Sequence, residues 1–222
     1  MGCVQIRCPY PLLQVTVTYR IPSQMKRTQT ADSVGVKYSA AKGTVTFGAT
    51  ESPAPGLPTF QTRFHFDPGA KFDSFLHFHA SHAEYLYCEQ GQIRVQIGDM
   101  VKIVGPEDGQ LEIPAWTPHR WVTLGVDQET IVWERTDPND GQKELFFRNL
   151  FSLVNDYGGM PPFLQMFKVF SDYDNYPIGT AWWQLALRSP IVWLTDAISL
   201  VATVVGYASV YKEYTPKHLL RG

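Results

Sequence analysis

The sequence predicts a mainly β protein, a small antiparallel barrel or sandwich followed by an α-helical tail. Three observations carry this. Between Phe60 and about Asp137 the chain breaks into short strand-like runs separated by Gly, Pro and Asp turn signals. After "TDPNDG" the apolar residues change from a period of two to helical spacing. Finally, 44% hydrophobic and 14% aromatic residues against 18% charged supply a core and argue against disorder.

Taken in order, residues 1–58 read as strands and loops joining the barrel. "LLQVTVTYRI" and "GTVTFGA" are candidate strands, and the prolines of "TESPAPGLPTF" make a loop. Residues 59–138 form the barrel core. "FQTRFHF", "SFLHFHA", "AEYLYCE", "IRVQIG", "LEIP", "HRWVTLG" and "ETIVWER" are its strands, with turns at "DPGA" and "GPEDGQ". Residues 139–222 form a C-terminal helical extension. "QKELFFRNLFSLVND" has helical spacing and "YGG" stops it; a second helix follows Pro161, and a longer one runs from Ile191 to Tyr211.

Composition excludes some functions. A net charge of −2 gives no electrostatic case for nucleic acid. The three cysteines Cys3, Cys8 and Cys88 show no Cys-x-x-Cys spacing and point to a reducing, cytoplasmic setting. "MGCVQIRCPYPLL" lacks the basic start and apolar run of a signal peptide, and Ile6 breaks the myristoylation pattern. The segment Ile191–Tyr211 is long enough to span a bilayer but contains Asp196. Thr195, Asp196, Ser199 and Thr203 recur at helical spacing and leave a wide apolar face. That face is expected to pack on the protein's own body, with membrane contact and an oligomer contact as the other readings.

The chemistry concentrates in "LHFHASHAEYLYCEQG", which holds three of the six histidines. His77 and His79 are two apart, so on a strand both project from one face. A turn over Ala80–Ala83 returns Glu84 beside them, and "PAWTPHRW" delivers His119 on a later strand. Three imidazoles and a carboxylate converging inside a barrel suit a divalent transition metal with coordination positions left open.

The run His77-x-His79-x4-Glu84-x6-Gly91 resembles the first motif of the cupin superfamily, and "GQLEIPAWTPH" resembles its second, with Trp116 where a glycine is usual. Together they cover about a quarter of the chain. The resemblance implies a double-stranded β-helix (jelly-roll) barrel with His77, His79, Glu84 and His119 as ligands of Fe, Mn, Ni, Cu or Zn. The helical extension is similar to that of small cupin proteins of fungal specialised metabolism.

Other residues have two readings. Arg63 and His65 share a strand face opposite Phe64 and Phe66; facing inward they line the substrate pocket, facing outward they are solvated. Cys88, Trp121 and Trp133 are core residues or pocket walls. His82 is expected to be a solvated turn residue and His218 an exposed one. If the ligands point in, Leu76, Phe78, Tyr85 and Tyr87 point out and need a cover, from the helices or from a second subunit in a homodimer.

An aromatic cavity without clustered basic residues suits an apolar or aromatic small molecule rather than a sugar phosphate. The catalytic candidates are Glu84, as the ligand best able to loosen and take a proton, and His119. By resemblance, the expected reaction is oxygenation, or isomerisation or cyclisation, of a polyketide-like metabolite. A non-catalytic or metal-free binding protein and a membrane-tethered scaffold are the alternatives.

Overall fold

The computed structural model describes residues 25–48, 52–125, 127–180 and 186–220, and the backbone of 2–4 and 17–19. The strands are β1 (Gly2–Val4), β2 (Val17–Tyr19), β3 (Gly35–Tyr38), β4 (Gly43–Phe47), β5 (Thr62–Phe66), β6 (His77–Phe78), β7 (Ala83–Gln90) and β8 (Ile93–Ile97). They continue with β9 (Met100–Val104), β10 (Gln110–Ile113), β11 (His119–Thr123), β12 (Thr130–Asp137) and, within the tail, β13 (Tyr176–Pro177). The helices are α1 (Gln142–Tyr157), α2 (Phe163–Asp172) and α3 (Arg188–Val204).

Two antiparallel sheets face one another as a jelly roll. One has the order β10-β7-β12-β5-β4-β3, the other β13-β6-β11-β8-β9. Alternation decides which side chains enter the space between them. Thr62, Phe64 and Phe66 of β5 and Glu84, Leu86 and Cys88 of β7 are buried, while the residues between them are partly exposed. Phe64 meets Trp121 of the opposite sheet edge-on, with ring centres 5.3 Å apart. Gly91 turns β7 into β8 at φ +75°, and a Cβ there would lie 2.6 Å from the Glu129 carbonyl, so the position requires glycine.

Only Val17–Tyr19 of the run "LLQVTVTYRI" falls among the described residues, paired with Gly2–Val4; the rest of that run and the side chains of Cys3 and Cys8 lie outside them. Two strands carried little sequence signal. β9 is an edge strand whose Met100, Val101 and Ile103 face outward, which blurs its alternation, and β13 is only two residues long.

α1 closes one end of the barrel. Its buried stripe puts Phe147 edge-on to Phe64 at 5.0 Å and stacks Phe151 on Tyr38 at 4.6 Å. Gly158 ends it in the left-handed conformation, with the Gly158 and Gly159 amides donating to Asn155 and Val154. β13 then adds to β6, placing Tyr176 over Phe78 with ring centres 5.5 Å apart.

The expected cover of the outer face is therefore divided. Leu76 and Phe78 are buried beneath Tyr176, Ile178 and the start of α3. Tyr85 and Tyr87 are only half-buried, with the Arg135 guanidinium 3.6 Å over the Tyr85 ring.

α3 corrects the sequence reading. It stops before Gly206, short of Tyr211, and the side it buries against α2 carries Thr195, Ser199 and Ala202, while Asp196 and Thr203 of the same polar stripe are exposed. Ser171 of α2 donates to Asp196 at 2.7 Å, and Ser199 donates to Asp172. Small side chains let the two helices approach closely, and the acidic end of α2 rewards hydroxyls. Ile191 and Val192 pack on the barrel side, as expected, but Trp193, Leu194, Leu200, Val201, Val204 and Val205 face outward. Among the described residues no helix is long and apolar enough to cross a membrane.

Candidate metal centre

β6 and β11 pair so that His77 lies opposite His119. His79 follows two residues on, and Glu84 projects inward from the start of β7. One potential ligand atom from each of the four residues falls within 4.8 Å of all the others, and all four residues are buried. A single ion about 2–2.3 Å from each atom fits that spread.

The protonation pattern is set by backbone carbonyls. His77 Nδ1 donates to Phe75 at 2.8 Å, His79 Nδ1 to Asp174 at 2.5 Å and His119 Nδ1 to Thr117 at 2.8 Å. With Nδ1 carrying the proton in each ring, every Nε2 presents a lone pair to the centre. Burial, reinforced by the neighbouring imidazoles, holds the pKa of His77 well below its ordinary value, and burial lowers that of His79. Both rings are therefore neutral.

Glu84 faces these lone pairs, with Oε2 3.0 Å from His79 Nε2 and Oε1 3.4 Å from His119 Nε2. Burial would raise its pKa, but the Lys143 ammonium beside it holds the carboxylate well below its usual range. Four acceptors thus converge with no proton between them. Among the described residues Glu84 Oε1 and His119 Nε2 have no hydrogen-bond partner, a costly arrangement in a buried site. A divalent cation resolves that conflict, so the donor set fits a metal.

The orienting carbonyls come from strained backbone. Phe75 (φ +57°) and Asp174 (φ +52°) are left-handed, and Thr117 follows Trp116 (φ +65°). Each such residue costs about 1–2 kcal/mol, and such strain clusters where a side chain must be aimed. Trp116, at the family's glycine position, is explained by this geometry. Its amide donates to the His79 carbonyl at 2.6 Å, and its ring stacks on Phe78 with centres 5.5 Å apart.

Behind Glu84 lies a group that sequence reading missed. Lys143 of α1 donates to Glu84 Oε2 at 2.6 Å and also to Glu134 of β12, all three side chains being buried. Burial depresses the lysine's pKa, but the two carboxylates outweigh it and raise the value. Glu134 is pushed up to about 8, by burial first and by the Glu84 charge second. The available signal was a lysine on the otherwise apolar α1 stripe formed with Phe146, Phe147 and Leu150.

His82 is corrected as well. It is not a solvated turn residue but is buried, with Nδ1 2.7 Å from Asp174 and Nε2 3.1 Å from Asp140. The Asp174 carboxylate also accepts from the Ala80 and Ser81 amides, tying the ligand-bearing turn to the tail.

A cavity of about 370 Å³ opens beside the centre. Phe72 and Trp121 of the barrel, Phe146, Phe147 and Phe151 of α1, and Met166 and Phe170 of α2 give it largely apolar walls. His77 and Glu134 line it too, so among the inner carboxyls it is Glu134, not Glu84, that faces the cavity. Of the sequence-predicted pocket residues, Trp121 is in this wall. Arg63, His65 and Trp133 stand instead on the outer face of the six-stranded sheet: Arg63 lies 3.6 Å from Glu89, His65 3.6 Å from Glu129, and Trp133 Nε1 donates to Glu89. Cys88 is buried in the core away from the cavity, its thiol pushed up to about 12 by burial.

Similarity to known proteins agrees with this geometry. Residues 62–133 match the cupin domain model, an interval that includes all four candidate ligands and excludes Lys143 and Asp174. The chain is 27% identical over 148 residues to an oxidoreductase of Arthrobotrys oligospora, covering 63% of this chain and 58% of that protein. It is 26% identical to the probable oxidoreductase patJ of Aspergillus clavatus, covering 63% and 45% respectively. With the probable oxidoreductase virH of Hypocrea virens it shares 29%, covering 63% and 66%. The chain thus spans about half to two thirds of the length of these relatives. The matching interval and the two facing antiparallel sheets identify residues 62–133 as a cupin domain.

Proposed function

We propose that the chain is a metal-dependent oxidoreductase that oxygenates an apolar, aromatic small molecule of polyketide-like character. The observation that carries this is the position of the cavity: apolar walls of about 370 Å³ end at His77, one of the four candidate ligands, and at the Glu134 carboxyl. The oxidoreductase names of the fungal relatives support the redox reading. Bound in this cluster, a divalent metal would polarise a substrate oxygen and, if redox-active, exchange electrons with dioxygen.

The chain's own residues do the rest. Phe72, Phe147 and Trp121 exclude water and hold a planar ring. The Glu134 carboxyl, protonated at neutral pH with a pKa of about 8, can give a proton to a substrate oxygen at the cavity end and recover it. That same group favours a second reading, isomerisation or cyclisation without oxygen.

The test is metal analysis of untagged protein, then oxygen uptake with phenolic polyketide-like compounds. About one equivalent of metal and substrate-dependent oxygen consumption are expected. Equal product under argon would replace oxygenation by the second reading, and binding without conversion in air or argon would leave a ligand-binding protein. His79→Ala and His119→Ala should each lose the metal and keep the fold; full occupancy in either would refute the ligand set.

A further inference from the structure

α3 is built inside out. Its buried stripe is Thr195, Ser199 and Ala202, whereas Trp193, Leu194, Leu200, Val201, Val204 and Val205 face solvent, with Trp193 78% and Val204 80% exposed. A helix on the surface of a globular monomer normally does the reverse. The exposed side chains recur at helical spacing along one face, each half to four-fifths exposed, in a stripe about 18 Å long. A contiguous stripe of six large apolar side chains is more than the scattered apolar residues a monomer commonly leaves open.

We propose that this face of α3 binds a second copy of the same chain, α3 against α3 about a two-fold axis. Charge selects this occupant over a lipid surface. Interfacial membrane helices carry flanking Lys and Arg that meet anionic headgroups. Here Arg188 and Asp196 are the charged residues of the helix, Asp196 is engaged with Ser171, and the whole chain has a net charge of −2. An uncharged apolar face is self-complementary, as an isologous contact requires. The start of α3 covers Leu76 and Ile178, which also line the cavity, so pairing there would stiffen one cavity wall.

The experiment is light scattering and sedimentation of the full-length chain at tens of micromolar. A species of twice the 25.1 kDa chain mass is expected. Leu200→Glu with Val204→Glu should shift it to monomer without changing far-ultraviolet circular dichroism, because both sites are exposed. Val204→Lys repeats the test with the opposite charge. A monomeric parent chain, or a dimer that survives these substitutions, overturns the proposal. So does a monomer that co-floats with phosphatidylcholine vesicles, which would make lipid the occupant.

Discussion

The main-chain carbonyl of Asp174 accepts a hydrogen bond from Nδ1 of His79 at 2.5 Å, across 95 residues of sequence. Through it the tail that follows α2 sets the tautomer of a candidate ligand in the barrel. The side chain of the same residue holds the Ala80 and Ser81 amides and His82. The helical extension is therefore part of the candidate metal centre and more than a cover for it.

Asp174→Ala keeps the carbonyl that orients His79 but removes the carboxylate that holds the Ala80–Ser81 turn and His82, so it should weaken metal binding by up to about 10-fold. Asp174→Asn, which tolerates the left-handed backbone and keeps one acceptor, should lose less. Competition titration with a metal indicator measures both. Equal affinity in the alanine variant would show that the turn holds itself.

Trp116 combines a backbone cost with a stacking gain. Trp116→Gly removes about 1–2 kcal/mol of strain and gives up an aromatic contact worth roughly 0.5–1.5 kcal/mol beyond its buried area. The lost burial of the indole comes on top, so this variant should be less stable than the parent, with the relieved strain offsetting about 1–2 kcal/mol of the loss. Trp116→Ala keeps the strain and loses the ring, so it should be clearly less stable. Urea unfolding separates the two, and an alanine variant as stable as the glycine variant would refute the strain.

Lys143→Met leaves the buried Glu84 carboxylate, and the Glu134 carboxyl beside it, without their cation and should cost about 3–5 kcal/mol. Adding Glu134→Gln sets an uncharged amide donor beside Glu84 and should restore part of the loss. Denaturation of the metal-free protein measures this; independent, additive effects would show that the three groups are not coupled.

Stability of the metal-free protein should peak near pH 6.5. His77 and His79 have folded pKa values below the ordinary 6.5, so their contribution is present above that value and lost as pH falls. Glu134 runs the other way: raised from 4.5 to about 8, it contributes most at low pH and loses that contribution as pH rises through 8. Unfolding midpoints between pH 5 and pH 9 should show both flanks, with His77→Gln flattening the acid side. A profile that rises steadily through pH 8 would contradict the Glu134 environment.

Much of the site was legible in the sequence because it depends on local periodicity. His77 and His79 share a strand face, Glu84 follows a short turn, and Gly91 closes the hairpin; all of that follows from a period of two and turn chemistry. α1 was legible for the same reason, from its apolar spacing and glycine stop. Whether Arg63, His65 and Trp133 looked inward could not be read, since alternation fixes two faces but not which one meets the other sheet. Lys143 and Asp174 reach the centre only when the tail folds back on the barrel, and no local pattern records a contact across 95 residues. α3 shows the limit most plainly. Its amphipathic pattern was visible, but only the acidic end of α2 and the close approach allowed by Thr195, Ser199 and Ala202 decided that these small residues would be buried while most of the large apolar ones stayed exposed.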